Sequence, residues 1–270
     1  MDEYKQKVIT FFNARTTYDQ EGKDHPQEAE QLLSLVPIEK GQTILDIATG
    51  TALIAIDAAQ KVGATGNIIG VDFSPIMLHQ AREKIITLGL NNVELIESDA
   101  ELIEFTQSSF DAIFCCSAIV FIPDISAMLS KCFNWLKSGG YLAFTTPGET
   151  AYMSSLQMKL CQELFNIKLP HILEPLNTPD KCHHLLHKSG FRDIQIKVET
   201  KGQYLSLTEN NNTFLHWRGE SFYPRGNPLA QLSETQLDKL QAVYRAEIEK
   251  LATPKGVWLD ITTYFVTARK

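Results

Sequence analysis

Between residues 41 and 146, short apolar runs alternate with stretches whose apolar positions recur every three or four residues. The runs at 43–47, 67–72, 93–97, 110–116 and 141–146 are rich in Ile, Leu, Val and Phe, which predicts strands. The segments 52–62, 75–88 and 124–136 carry helical periodicity, and Ser74-Pro75 and Pro123 suit helix starts. Apolar strands separated by amphipathic helices predict a parallel sheet covered on both faces, an α/β architecture.

The flanks follow a different pattern. Residues 1–24 are polar with Phe11, Phe12 and Tyr18 interspersed, which suits one helix and then a loop. Residues 26–36 suit a second helix, with Pro26 in its first turn and acids near its positive end. After the sheet segment come a helix over about 150–167, a linker with Pro170, Pro175 and Pro179, a short helix at 180–189 and a strand at 191–200. Residues 203–232 lack a long periodic element but hold Phe214, His216, Trp217, Arg218, Phe222 and Tyr223, and they read as a cap. The aromatic members favour an apolar cage around a substrate. Ser233 and Gln236 form a capping-box pattern ahead of a helix at 233–251, and a last strand is predicted over 257–268.

Composition narrows the classes. With 270 residues, 44% of them hydrophobic, the chain can build a full core as one large domain or one domain with an insertion. A formal charge of −7 without any Lys/Arg cluster argues against a nucleic-acid partner. No apolar run has the length of a membrane span, and Met1–Lys7 lacks a signal-peptide core, so the expected location is cytoplasmic without membrane insertion. Cys115 and Cys116, adjacent within an apolar strand, read as reduced, packed thiols. His183 and His187 have metal-ligand spacing on a helix, but no third ligand is near, and no metal is expected.

Candidate chemistry concentrates at two strand ends. The first strand carries Asp46 and runs into the small-residue loop Ala48-Thr-Gly-Thr-Ala52, a place where backbone can approach a ligand closely. The second strand ends in Asp72, placed to bind two ribose hydroxyls. A dinucleotide site would need glycines where Ala48 and Leu53 stand, and no Gly-Lys-Ser/Thr follows the turn as a phosphate loop requires. An acid two residues before the loop suits a cofactor with positive charge and no phosphate, which describes S-adenosyl-L-methionine.

Five motifs occur in order: Leu45-Asp-Ile-Ala-Thr-Gly-Thr-Ala52, Gly70-Val-Asp-Phe-Ser-Pro75, Glu97-Ser-Asp-Ala-Glu101, Phe110-Asp-Ala-Ile-Phe-Cys-Cys-Ser-Ala118 and Leu136-Lys-Ser-Gly-Gly-Tyr-Leu142. In this order the chain resembles the class I S-adenosylmethionine-dependent methyltransferases, most closely the ubiquinone/menaquinone-type small-molecule branch. The resemblance implies a doubly wound, seven-stranded Rossmann-like sheet, mostly parallel with an antiparallel C-terminal strand, plus a helical and loop cap. Its implied organisation is an N-terminal helical lid at 1–40, a cofactor-binding core at 41–146, and the remainder of the sheet at 147–270 with a cap insertion at about 203–232. It further implies that backbone at Ala48, Thr49, Gly50 and Thr51 lines the methionine end, with Asp46 orienting the ammonium. Asp72 would take the ribose, Phe73 and Met77 the adenine face, and Asp99 with the Ala100 amide the adenine edge. Cys116, Ser117 and Ala118 would meet the amino-acid end and face the acceptor.

The activity so implied is methyl transfer to an O or N atom of a small molecule or peptide, in specialised metabolism. Alternatives are C-methylation of a quinone-like ring, a non-catalytic cofactor-binding protein and a nicotinamide-dependent oxidoreductase. Tyr18, His25 and His171 are the candidate catalytic groups. Cys116-Ser117-Ala118-Ile119 stands where base-amine methyltransferases carry Asn/Asp-Pro-Pro-Tyr/Phe, which disfavours nucleobase and glutamine-amide acceptors. Two departures from the family are Ala52 for Gly and Ser138 for Pro. Ala52 is tolerable where its backbone avoids the left-handed region.

Overall fold

A computed structural model describes residues 2–21, 24–207, 215–219 and 222–270. Its elements in chain order are α1 (Glu3–Asn13), α2 (Asp24–Ser34), β1 (Thr43–Ile47), α3 (Leu53–Val62), β2 (Asn67–Asp72), α4 (Pro75–Thr87), β3 (Val93–Glu97) and β4 (Phe110–Cys115). They continue with α5 (Ile125–Trp135), β5 (Leu136–Pro147), α6 (Ser154–Phe165), α7 (Pro179–Lys188), β6 (Arg192–Glu199), β7 (Gly202–Leu205), α8 (Glu234–Lys250), β8 (Val257–Asp260) and β9 (Thr263–Arg269). Seven strands form one sheet in the order β3-β2-β1-β4-β5-β9-β6. β9 runs antiparallel to both neighbours, and β1 to β5 pair in parallel. This is the doubly wound Rossmann-like sheet expected, with its antiparallel C-terminal strand.

Each face of the sheet has its own core. On one side α2, α3 and α4 bury Leu32, Ala55, Ala59 and Ala81 against Ile44, Ile68 and Phe114. On the other, α5 and α7 bury Met128, Trp135, Cys182 and Leu186 against Leu45, Ile113 and Phe144. A third cluster lies apart, where α6 and α8 pack Leu160, Leu240, Tyr244 and Ile248 against Leu205, Val257 and Leu259 of the two-stranded β7–β8 sheet. Among the described residues no helix is long and apolar enough to cross a membrane.

Two expectations are corrected. The last strand does not run unbroken over 257–268. Asp260 accepts the Thr262 N–H at 2.7 Å, turning the chain, so β8 pairs with β7 while β9 enters the main sheet. The aromatic cage also dissolves. Trp217 is buried against Tyr244 with ring centroids 5.4 Å apart, and Tyr223 is buried in the same third cluster. Phe214 lies outside the described residues. Among the described ones, Phe222 reaches rings nearer the sheet tips, at 5.1 Å from Phe11 and 5.4 Å from Phe121.

α8 begins as its sequence specifies, with the Ser233 hydroxyl accepting the Gln236 N–H and the Gln236 side chain accepting the Ser233 N–H. A cap of this kind contributes about 1 kcal/mol. Ser233→Ala is expected to lower unfolding stability by about 1 kcal/mol in urea titration.

Candidate functional site

The strand order reverses between β1 and β4, and a crevice opens at the carboxyl ends of strands there. A cavity of about 1080 Å³, partly open to solvent, occupies that place. Asp46, Ala48, Thr49, Gly50, Thr51, Asp72, Phe73, Met77, Asp99, Ala100, Cys116 and Ser117 all line it. The twelve positions implied as cofactor-binding are therefore brought to one cavity. Tyr18 and His25 line it too, from the N-terminal side.

His171 does not. Its Nε2 lies 2.8 Å from the Glu149 carbonyl, its Nδ1 accepts the Leu173 N–H at 3.2 Å, and the residue is buried outside the cavity lining. Both ring nitrogens are engaged in holding the chain after β5, which removes His171 from the acceptor site. Tyr18 does line the cavity, and burial raises its phenol pKa, which favours the neutral phenol over a proton-accepting form.

The two acids are held by the loops they organise. Asp72 accepts the Gly50 N–H on one carboxylate oxygen and the Ser74 N–H on the other, each at 2.8 Å. Two oxygens offer about four lone-pair sites, so capacity for two more donors remains. Burial raises the Asp72 carboxyl above its ordinary value, against the backbone hydrogen bonds, which lower it. Asp46 accepts the Thr49 hydroxyl at 2.5 Å, and burial pushes its carboxyl up to about 7. Lys5 is the one cation among the described lining residues, against Asp46, Asp72, Asp99 and Glu101, and it is already paired with the last two. Such a lining suits a ligand bearing hydroxyls and positive charge, and opposes a diphosphate.

At the tip of β3, Asp99 accepts the Glu101 N–H at 2.9 Å and the Lys5 ammonium at 2.6 Å. At the tip of β4, Ser117 sits in the left-handed region at φ 54°, donates its N–H to the Thr145 hydroxyl at 2.7 Å and its hydroxyl to Glu28 at 2.8 Å. Burial keeps the Cys116 thiol protonated, as a packed sulfur should be. Among the described residues no cluster of three or more His, Cys, Asp or Glu is arranged to hold a metal ion.

The sequence predicts an N-terminal lid with Tyr18 and His25, but it does not name the other residues of α1 and α2 that line the cavity. Tyr4, Lys5, Val8 and Phe12 of α1, with Ala29 of α2, line the cavity. Phe12 lies edge-on to Phe121 with centroids 5.6 Å apart, and the His25 ring stacks on Tyr18 at 4.8 Å. An amphipathic helix announces that it will pack somewhere, but not against which strand ends. His25 is kept neutral chiefly by burial, which lowers its pKa from the usual value, and its Nδ1 is buried with no hydrogen-bond partner.

Ala52 is a further correction, since it does lie in the left-handed region at φ 67°, and Ala48 joins it at φ 54°. For Ala this conformation costs about 1–2 kcal/mol. Ala48 is only half-buried, so little packing would be lost with its methyl. Ala48→Gly is expected to raise thermal stability by up to about 1 kcal/mol after glycine's own entropic cost is met. Scanning calorimetry of the two proteins measures it.

A family model described as a methyltransferase domain matches residues 38–210. Aklanonic acid methyltransferase DauC of Streptomyces sp. is 33% identical over 146 residues, covering 53% of this chain and 66% of that protein. Demethylmenaquinone methyltransferase of Listeria monocytogenes is 36% identical over 121 residues, covering 45% of this chain and 51% of that protein. The chain thus aligns with between half and two thirds of the length of these relatives. Among solved structures, phosphoethanolamine N-methyltransferase 2 of Haemonchus contortus superposes with a TM-score of 0.56 at 24% identity, over 90% of this chain and 52% of that one, which is a likeness of fold.

Proposed function

Since this chain belongs to the S-adenosylmethionine-dependent methyltransferase family, we propose that it moves a methyl group onto a hydroxyl of a small molecule with a flat, apolar ring. The observation that carries the reading is Asp72, fixed by two loop N–H groups with acceptor capacity left toward the cavity. That capacity fits the two hydroxyls of a ribose. Asp46 and the loop Ala48–Thr51 would hold the cationic amino-acid end, and Phe73 and Met77 the adenine. When bound there, the cofactor would supply an activated methyl group carried on a positively charged sulfur.

The chain's own work is positioning, exclusion of water and handling of one proton. Phe12, Tyr18, Phe121 and Ile122 supply apolar walls to the cavity, and these walls we assign to the acceptor. His25 lines the cavity and burial disfavours its charged form, so its neutral imidazole is the group we assign to take the hydroxyl proton as the new O–C bond forms. A neutral base beside aromatic walls favours O-methylation of a phenol or enol over methylation of a peptide. Ring-carbon methylation is the second reading. It is favoured by a relative whose name is demethylmenaquinone methyltransferase, and it needs the same proton transfer to raise electron density in the ring. A place in specialised metabolism fits the second half of the chain, whose third core lies apart from the sheet.

Titration calorimetry with S-adenosylmethionine, followed by a homocysteine-release assay over hydroxylated aromatic acceptors, tests the proposal. Binding without release from any acceptor would favour a cofactor-binding protein that does not turn over. Asp72→Ala is expected to weaken cofactor binding by about tenfold to a hundredfold, the value of a charge-assisted hydrogen bond. Its melting curve should remain cooperative, and unchanged affinity would remove the ribose assignment.

The pH dependence has a definite sign. Asp46 has a folded pKa raised to about 7, so ionising it costs stability, and the free chain loses stability as pH rises from its ordinary value toward 7. A bound ammonium favours the carboxylate and expels the proton. Cofactor affinity should therefore fall as pH drops below about 7, and the binding heat near pH 6.5 should vary with the buffer's ionisation enthalpy. A buffer-independent heat would separate Asp46 from the ammonium.

A further inference from the structure

We propose that Glu28 is a positioning residue that ties the second helix to the acceptor end of the site and supplies the negative charge that receives a proton on His25. This role rests on His25 being the proton acceptor. Glu28 and His25 stand three apart on α2, neighbours on one helix surface. From there Glu28 accepts the Ser117 hydroxyl at 2.8 Å, bridging α2 to the tip of β4 where the transferred methyl must lie.

The charges around His25 make Glu28 distinctive. The Arg15 guanidinium lies 4.4 Å from the Tyr18 ring centroid, and Tyr18 stacks on His25, so a proton on the imidazole meets a cation one ring away. Three acids act in the other direction. Glu21 is committed to Arg15 itself. Asp24 is largely exposed and lies 3.5 Å from Lys201. Glu28 is half-buried and has no Lys or Arg ion pair among the described residues, so its charge acts with little screening. It favours a proton on His25 more than any other neighbour does.

The same charge reaches Tyr18, Cys116 and Tyr152, where it opposes loss of a proton and adds to the effect of burial. One carboxylate thereby discriminates among the groups around the acceptor. It adds to the burial that keeps two phenols and a thiol neutral, and it favours charge on the imidazole. Without it, the imidazolium would face Arg15 with only Asp24 and Glu21 to offset that cation, both themselves paired with bases.

The test needs no acceptor. Imidazole proton resonances of the full chain are titrated by NMR, with His25 assigned by its loss in His25→Gln. In Glu28→Gln the His25 pKa is expected to fall by about half a pH unit or more, as for removal of an opposite charge a few ångströms away. Ser117→Ala keeps the carboxylate but frees it, and is expected to give a smaller fall. It also serves where Glu28→Gln does not fold, as checked by circular dichroism. An unmoved His25 resonance in both folded variants, even with lowered stability, would overturn the proposal and leave Glu28 a lid fastener. Failure of the methyltransferase reading would appear elsewhere, as absence of cofactor heat in calorimetry on the unmodified chain.

Discussion

A carboxylate can be taken out of water only if donors are brought to it, and at the tip of β2 the donors are the backbone. Asp72 collects N–H groups from the loop after β1 and from the loop after β2. Both loops are thereby fixed relative to one another by a single side chain. The sheet makes that geometry available. Asp46 pairs in register with Gly70, two residues before Asp72, so the two acids rise on adjacent strands. Gly70 itself has no freedom to be larger, because a Cβ there would lie 2.8 Å from Leu95 and 3.0 Å from the Thr49 side chain. The acid, the glycine and the loop are one device. What binds must offer donors or positive charge, because the acceptors are already fixed in position.

The N-terminal helices are fastened to that device at every parallel strand tip they cover. Asp19 accepts the Thr51 hydroxyl after β1, Asn13 accepts the Ser74 hydroxyl after β2, Lys5 reaches Asp99 after β3, and Glu28 takes Ser117 after β4. Each bond is worth about 0.5–1.5 kcal/mol net. A set of separate polar ties over an apolar cavity differs from a continuous core. Such ties can be released at α1 without unfolding the sheet, whereas α2 also buries Ala29 and Leu32 in the sheet's own core.

What the sequence made legible was local. The parallel strands, the caps at Ser74 and Ser233, and the acids at strand ends follow from residues close together in the chain. Asp46 and Asp72 could be placed because a strand ends where it ends whatever packs above it. The fastenings were not legible, since Lys5 and Asp99 lie 94 residues apart and Ser117 and Glu28 lie 89 apart. His171 misled for the same reason. A histidine after a proline in a linker looks available, until the Glu149 carbonyl and the Leu173 N–H are found on its two nitrogens. Trp217 and Tyr223 resembled a substrate cage because a surface segment and the lid of a separate small core have the same composition.

Left-handed backbone sorts the turns of this chain into two kinds. Asn166, Asp193 and Ser108 adopt positive φ as polar residues whose side chains tolerate it. Ala48, Ala52, Ser117, Tyr152 and Met153 adopt it without that excuse at most of their positions, and all follow the carboxyl ends of β1, β4 or β5. At Ala48 and Ser117 the chain leaves a buried strand and turns at once beside the cavity. Strain of about 1–3 kcal/mol per residue persists only where the surroundings dictate the conformation. At Ala52 the surroundings are visible: the residue is wholly buried within the core cluster that also holds Ile44, Ile54 and Phe114. A glycine would relax the backbone and remove the methyl from that cluster. The alanine keeps the packing under the loop, and the sheet tip bears the strain beside the cavity.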